Sequence, residues 1–219
     1  MSHPPSKPRP QRIGIFGGAF DPPHNAHVAL ARCAVEQLQL DALLVLPTGQ
    51  AWHKSRTPSP AAQRVAMARL AFEGIPGAQV DERETRRAGP TYTVDTLAEL
   101  QAEHPGAQFF LVLGADQAQA FGSWHRWQDI VANAIICIAQ RDQSTLTFGV
   151  LGSKSGLKIP PNGPIQASAE AQTLAIRMPL MDISATAVRQ RVAANLGVAH
   201  LVPEAVARYI DNHQLYQTT

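Results

Sequence analysis

Apolar residues along the chain fall into two kinds of pattern. Short, nearly continuous apolar runs predict buried strands, because strands covered on both faces need apolar side chains on both sides. The predicted strands cover 12–16, 42–46, 78–81, 109–113, 134–139 and 173–177. Between them, apolar residues recur every three or four positions, which predicts helices. The predicted helices cover 25–38, 60–72, 92–103, 116–121, 127–132, 184–195 and 203–212.

The order of these elements predicts the fold class. Strands and helices alternate, which favours a parallel sheet with right-handed crossovers. We therefore predict an α/β fold: a doubly wound, mostly parallel Rossmann-like sheet with helices on both faces, in a single domain. Residues 1–11 carry four prolines and no periodic pattern, so a disordered tail is predicted before a domain at 12–219. Residues 141–171 are rich in Gly, Ser, Pro and Gln, which predicts a loop insertion.

Composition narrows the class of protein. Hydrophobic residues make up 45% and charged residues 16% of the 219, as in globular proteins. The 19 Lys and Arg nearly balance 17 Asp and Glu, so we expect neither nucleic acid nor a membrane surface as partner. No apolar run is long enough to span a bilayer. Cys33 and Cys137 lie far apart in apolar segments, which favours buried thiols and a cytoplasmic protein.

The loop after the first predicted strand combines features of a phosphate site. Gly17 and Gly18 carry no Cβ, so the backbone can approach a ligand closely. His24 and His27 are three residues apart at the first helical turn, which lets them share one face. The N–H groups and the positive end of the helix favour an anion at the same place. The Asp-x-x-His-x-x-His spacing is also compatible with a metal site, although no cysteine or acidic partner stands near it in sequence.

Two motifs resemble those of a known superfamily. GGAFDPPHNAH at 17–27 is similar to the G-x-F-D-P-x-H-x-G-H motif of the nucleotidyltransferase α/β phosphodiesterase superfamily. ISATAVR at 183–189 resembles its second motif, I-S-x-T-x-x-R. Members transfer a nucleotide from ATP or CTP to a phosphate or similar acceptor and release pyrophosphate. Ala26 and Ala185 depart from the usual glycine and a common serine of these motifs.

The middle of the chain resembles one family within this superfamily. DERE at 81–84, followed by GPTYTVDTL at 89–97, is similar to the E-x(n)-P-S-Y-T-x-x-T-L stretch of bacterial nicotinate-nucleotide adenylyltransferases. LGAD at 113–116 and FGSWHRW at 121–127 resemble their G-x-D…F-x-x-W segment. AWHK at 51–54 stands where the family usually has P-P-H-K. The resemblance implies that the chain joins nicotinate mononucleotide to ATP, giving nicotinate adenine dinucleotide and pyrophosphate.

The resemblance also implies a role for individual residues. The expected catalytic residues are His24, His27 and Arg189, with His27 stabilising the transition state. The expected ATP-binding residues are Gly17, Gly18, Phe20, His24, His27, Ser184, Thr186 and Arg189. The expected nicotinate mononucleotide-binding residues are His53, Lys54, Thr91, Tyr92, Thr93, Asp116, Trp124 and His125. Mg²⁺ is expected to enter with ATP, on its phosphates, rather than in an all-protein site.

Three hypotheses about the activity remain open. Thr91 or Thr93 is predicted to cap a helix whose positive end favours the carboxylate of nicotinate mononucleotide over an amide. An adenylyltransferase that prefers nicotinamide mononucleotide is the alternative within the class. Ala26 is the one feature that favours a catalytically silent nucleotide-binding module. A homo-oligomer is compatible with the sequence.

Overall fold

The structure, a computed structural model, describes residues 9–49, 57–141, 147–148, 157–158 and 173–217. Among them the strands are β1 (Arg12–Gly18), β2 (Ala42–Pro47), β3 (Ala78–Val80), β4 (Gln108–Leu113), β5 (Ile135–Arg141), β6 (Thr147–Phe148), β7 (Leu157–Lys158) and β8 (Thr173–Met178). The α-helices are α1 (Asn25–Gln37), α2 (Ala61–Phe72), α3 (Arg83–Arg86), α4 (Thr93–Glu103), α5 (Ala115–Ala120), α6 (Trp127–Asn133), α7 (Ala185–Ala193) and α8 (Glu204–Asn212). Within these ranges, no helix is both long and apolar enough to cross a membrane.

Six strands form one sheet in the order β3-β2-β1-β4-β5-β8. Every pairing within it is parallel, whereas β6 and β7 form a separate antiparallel pair. Ile15 in β1 pairs with Leu44 on one side and with Leu111 on the other, so the strand order reverses direction beside β1. In open parallel sheets, such a reversal leaves a crevice beyond the carboxyl ends of the strands. The predicted α/β class is confirmed.

Helices cover both faces of the sheet. On one face, buried side chains of α1, α2, α7 and α8 pack against strand residues that include Phe110. On the other face, Leu97 of α4 and Ile130 of α6 pack against residues that include Leu111. Neighbouring residues in a strand point to opposite faces, so one apolar run such as β4 contributes to both cores. This explains why the central strands read as continuous apolar segments.

Several local features differ from the predicted elements, among them the short strands β6 and β7 within the expected insertion. β1 continues through Gly17 and Gly18, which pair with Leu46 and Pro47 of β2, beyond the predicted end at Phe16. Backbone pairing needs no side chain, so the glycines do not stop the strand. The short helix α3 was not predicted, because four residues are too few to show a helical period.

The two ends of the predicted domain are described only in part. Of the expected tail, residues 9–11 are described, and there Arg9 donates two hydrogen bonds to the Asp41 carboxylate at 2.6 and 3.0 Å. Of the expected insertion 141–171, the structure describes residues 141, 147–148 and 157–158. The proposed limits of tail, domain and insertion therefore stay predictions.

Candidate active site

A cleft of about 770 Å³ lies beyond the carboxyl ends of β1 and β4, where the strand order reverses. Every predicted site residue that the structure describes lines this cleft: Gly17, Gly18, Phe20, His24, His27, Thr91, Tyr92, Thr93, Asp116, Trp124, His125, Ser184, Thr186 and Arg189. His53 and Lys54 lie outside the described residues. The fold thus brings together four separate segments of the chain, whose contacts with ligands stay predictions.

The two glycines at the end of β1 differ in their surroundings. A Cβ at Gly17 would meet no atom within 4 Å, so at this position the backbone is open to a ligand in the cleft. A Cβ at Gly18 would lie 3.0 Å from the ring of Phe20. That ring is 2% exposed and packs edge-on against Phe16, with centroids 5.5 Å apart. Gly18 therefore leaves room for a core ring and also lines the cleft, and its contact with a ligand stays a prediction.

His24 and His27 stand as a pair at the start of α1. Their rings stack with centroids 3.6 Å apart and an interplanar angle of 23°. The backbone N–H of His24 donates a hydrogen bond to Nδ1 of His27 at 3.2 Å. Because Nδ1 accepts this bond, the proton of the neutral His27 ring lies on Nε2. The backbone thereby selects the tautomer that carries its N–H donor at Nε2.

His24 is buried beside the cleft. Burial lowers the pKa of His24 to about 4, so its ring is neutral near pH 7. No described protein atom forms a hydrogen bond with its Nδ1. A buried polar atom without a partner is unfavourable, and a ligand group that pairs with it recovers that free energy. His24 is therefore suited to form a hydrogen bond with a ligand rather than to supply a charge.

The start of α7 forms the wall beside the histidines. Ser184 is the N-cap residue, and its hydroxyl accepts a hydrogen bond from the N–H of Ala187 at 3.1 Å. The Arg189 guanidinium donates to the carbonyl oxygen of Asp21 at 2.7 Å and to Oγ1 of Thr186 at 3.0 Å. These bonds hold the guanidinium against the loop that follows β1. A fixed positive charge and two helix N-termini, those of α1 and α7, make this part of the cleft favourable for phosphate.

The opposite wall contains the start of α4. Tyr92 is its N-cap residue and no side chain caps the first turn, so the predicted cap by Thr91 or Thr93 is wrong. The helix begins at Thr93 because Tyr92 still has an extended backbone. Oγ1 of Thr91 is buried, and no described protein atom pairs with it. The Tyr92 ring lies 4.4 Å from that of His125, between centroids, which provides an aromatic surface.

Two acidic residues of the cleft had no role assigned from sequence. Burial raises the pKa of Glu84 to about 7, although its Oε1 accepts a hydrogen bond from the Thr96 hydroxyl at 3.0 Å. The Asp21 carboxylate is also buried and accepts a hydrogen bond from the Tyr216 hydroxyl at 2.7 Å. Both residues lie inside the quoted motifs, but residue type and spacing do not reveal burial or a partner distant in sequence.

The described residues contain no group of three or more His, Cys, Asp or Glu side chains placed to hold a metal ion. Three acidic residues line the cleft. Asp21 and Glu84 are buried, and each accepts a hydrogen bond from another side chain, whereas Asp116 is exposed. The metal-site alternative for the first motif has no support from this geometry.

Comparison with known proteins decides the family. A family model described as cytidylyltransferase-like matches residues 15–191. A curated relative from Albidiferax ferrireducens, named a probable nicotinate-nucleotide adenylyltransferase, is 53% identical over 208 residues, which cover 95% of this chain and 99% of the relative. The chain belongs to the nicotinate-nucleotide adenylyltransferase family. A second relative of the same name, from Methylibium petroleiphilum, is 39% identical over 94% of this chain and 92% of its own length.

Solved structures agree with this assignment at the level of the fold. The Plasmodium falciparum nicotinic acid mononucleotide adenylyltransferase complexed with NaAD superposes with a TM-score of 0.70. The match covers 94% of this chain and 97% of that chain at 19% sequence identity, so it bears on the fold alone. The six-stranded parallel sheet is therefore shared between this member of the adenylyltransferase family and that structure.

Proposed function

We propose that the chain transfers the adenylyl group of ATP to nicotinate mononucleotide, forming nicotinate adenine dinucleotide and pyrophosphate. The observation that carries the proposal is the convergence of His24, His27 and Arg189 with the N-termini of α1 and α7 on one cleft. Relatives that carry the matching name over almost their full length support it.

The reaction requires little covalent chemistry from the protein. A phosphate oxygen of nicotinate mononucleotide attacks the α-phosphorus of ATP, and the bond from that phosphorus to the bridging oxygen breaks. The electron pair of this bond leaves with pyrophosphate. Because the acceptor phosphate is already ionised at neutral pH, no activated serine or cysteine is needed. The protein contributes alignment of two anions and stabilisation of the charge that develops between them.

His27 and Arg189 supply the groups that stabilise this charge. The Nε2–H of His27 is the donor that the ring offers to phosphate oxygens, since Nδ1 already accepts a hydrogen bond from the backbone of His24. Arg189 contributes a permanent positive charge whose orientation is held by Asp21 and Thr186. Neutral His24 adds a hydrogen bond from its ring, and the backbone at Gly17 lets the nucleotide approach.

The nicotinate end of the acceptor binds at the wall formed by the start of α4. The positive end of this helix and the unpaired hydroxyl of Thr91 favour a carboxylate. The Tyr92–His125 pair and Trp124 offer rings against which the pyridine can pack. An amide at the same place presents N–H groups to other donors, which leaves polar groups unpaired.

Mg²⁺ enters with ATP. The buried carboxylates of Asp21 and Glu84 are already hydrogen-bonded, and Asp116 is the exposed carboxylate among the described residues of the cleft. This lining fits an ion whose ligands are mainly phosphate oxygens and water. When bound, Mg²⁺ neutralises charge on the departing pyrophosphate. We propose the cytoplasm as the site of action, which the free thiols of Cys33 and Cys137 support.

Pyrophosphate release from ATP with each mononucleotide tests the proposal. We expect kcat/KM for nicotinate mononucleotide to exceed that for nicotinamide mononucleotide by about 10²-fold or more, as for a site built around one polar group. The reverse preference would support the alternative substrate. No release with either mononucleotide would support a silent nucleotide-binding module, for which nucleotide binding without turnover is the expected signature.

A further inference from the structure

The side chain of Asp21 ties the phosphate-binding loop to the C-terminal end of the described chain. Asp21 is 3% exposed, and its Oδ1 accepts a hydrogen bond from the Tyr216 hydroxyl at 2.7 Å. Its Oδ2 accepts from the backbone N–H of Ser59 at 3.2 Å. Burial and the negative charge of Asp21 raise the pKa of Tyr216 above its ordinary value, so the phenol stays protonated and remains a donor.

A buried arginine supports the same carboxylate. Arg64, on α2, is 2% exposed, and it donates to the carbonyl oxygens of Ser59 at 2.9 Å and Ala19 at 3.0 Å. Burial lowers the pKa of Arg64, and the charge of Asp21 opposes that shift. Such a cation is stable in the interior only when opposite charge and acceptors surround it. Arg64 therefore links the loop at Ala19 to the segment at Ser59, the two stretches of chain that flank the Asp21 carboxylate.

The backbone of Asp21 contacts the catalytic machinery. Its carbonyl oxygen accepts the 2.7 Å hydrogen bond from Arg189, and His24 follows only three residues later. One residue thus has its side chain held by Tyr216 and its main chain in contact with the proposed phosphate-binding guanidinium. A displacement of the carboxylate moves the acceptor that orients Arg189.

The backbone conformations of Phe20 and Tyr216 indicate that surrounding contacts hold the two segments joined by the Tyr216–Asp21 hydrogen bond. Phe20, directly before Asp21, has φ of 47°, and Tyr216 has φ of 63°. Residues with a Cβ seldom adopt this left-handed region, and they persist there where neighbouring structure holds them. The buried ring of Phe20 and the half-buried hydrogen bond of Tyr216 to Asp21 are the contacts that do so here.

We propose that Tyr216 is a positioning residue for adenylyl transfer, which acts through Asp21 to set the orientation of Arg189. This inference rests on the proposed function. Tyr216 itself does not line the cleft, so it acts without touching either substrate.

The test is Tyr216→Phe, which removes one hydroxyl and keeps the ring. We expect kcat to fall about tenfold while KM for ATP and for nicotinate mononucleotide stays within about twofold, because misalignment penalises the transition state more than ground-state binding. The matched control is Tyr209→Phe on α8, a half-buried tyrosine whose ring centroid lies 4.1 Å from that of His213 and which does not line the cleft. The control is expected to keep the kcat of the unaltered protein.

A double variant separates positioning from a general loss of structure. In the Arg189→Lys background, Tyr216→Phe is expected to lower kcat by about twofold or less, because the guanidinium that the Asp21 carbonyl orients is already absent. A Tyr216→Phe protein with unaltered kcat overturns the proposal, as does the same fold-loss in both backgrounds. If the unaltered protein releases no pyrophosphate, the proposed function fails instead.

Discussion

The backbone N–H of His24 donates to Nδ1 of His27 across 3.2 Å, while the two imidazole rings stack 3.6 Å apart. This hydrogen bond and the burial of the His24 ring give the two histidines of the first motif different properties. His27 is held in the tautomer that carries its proton on Nε2, whereas burial lowers the pKa of His24 to about 4 and keeps its ring neutral. Two identical side chains three residues apart are therefore not interchangeable.

The first prediction concerns the donor at Nε2 of His27. His27→Ala is expected to lower kcat by about 10²-fold or more, comparable to the loss of one oxyanion donor, with the fold retained. His27→Gln is expected to keep more turnover than His27→Asn, because the longer amide reaches the position of Nε2. Steady-state pyrophosphate release measures both, with the exposed His213→Ala as control. Equal activity of the Gln and Asn variants would refute the assigned tautomer.

The second prediction concerns the fork of Arg189. Arg189→Lys is expected to lower kcat/KM at least about tenfold although the charge is kept, because an ammonium cannot contact Asp21, Thr186 and a phosphate as a planar fork does. Arg191→Lys on the same helix is the matched control, since Arg191 donates to the carbonyl of Gly197 and does not line the cleft. If the two variants have the same kinetics, Arg189 is a structural cation only.

The third prediction concerns the buried carboxyl of Glu84. Its pKa is raised from 4.5 to about 7 in the folded protein, so the folded state binds more protons than the unfolded state between these values. The contribution of Glu84 to the free energy of unfolding is fully present below pH 4.5 and is lost as the pH rises through 7, by about 3 kcal/mol in all.

Glu84→Gln removes this titration and keeps an acceptor for Thr96. We therefore expect the variant to be more stable than the unaltered protein at pH 8, with a flatter dependence of unfolding free energy on pH between 4.5 and 7. Urea unfolding followed by circular dichroism at several pH values measures both, and the exposed Glu73→Gln serves as control. An unchanged pH profile would show that Glu84 is ionised in the fold.

Much of the cleft could be predicted from local sequence. Apolar runs identified the six strands of the main sheet, since a strand buried on both faces must carry apolar residues throughout. Parallel strands end at a common edge, and the segments at 17–27 and 113–116, which follow different strands, line the same cleft there. Residues of the motif at 183–189 were assigned to the same site only through its resemblance to a known superfamily. Residue types that bind phosphate were thus predictable, although their contacts with ligands stay predictions.

The sequence by itself determined the order of the elements, the loop that carries the histidines and the family. Only the tertiary structure decided which His27 nitrogen accepts, which ring lies against Gly18, and that Tyr92 rather than a threonine is the N-cap residue of α4. The tertiary structure alone also shows that Tyr216 donates a hydrogen bond to Asp21, 195 residues away in sequence, and that the side chain of Glu84 is buried. Burial and long-range hydrogen bonds depend on how the helices pack on the sheet. No local pattern of residue types contains that information, because the same side chain is charged in water and neutral in a closed interior.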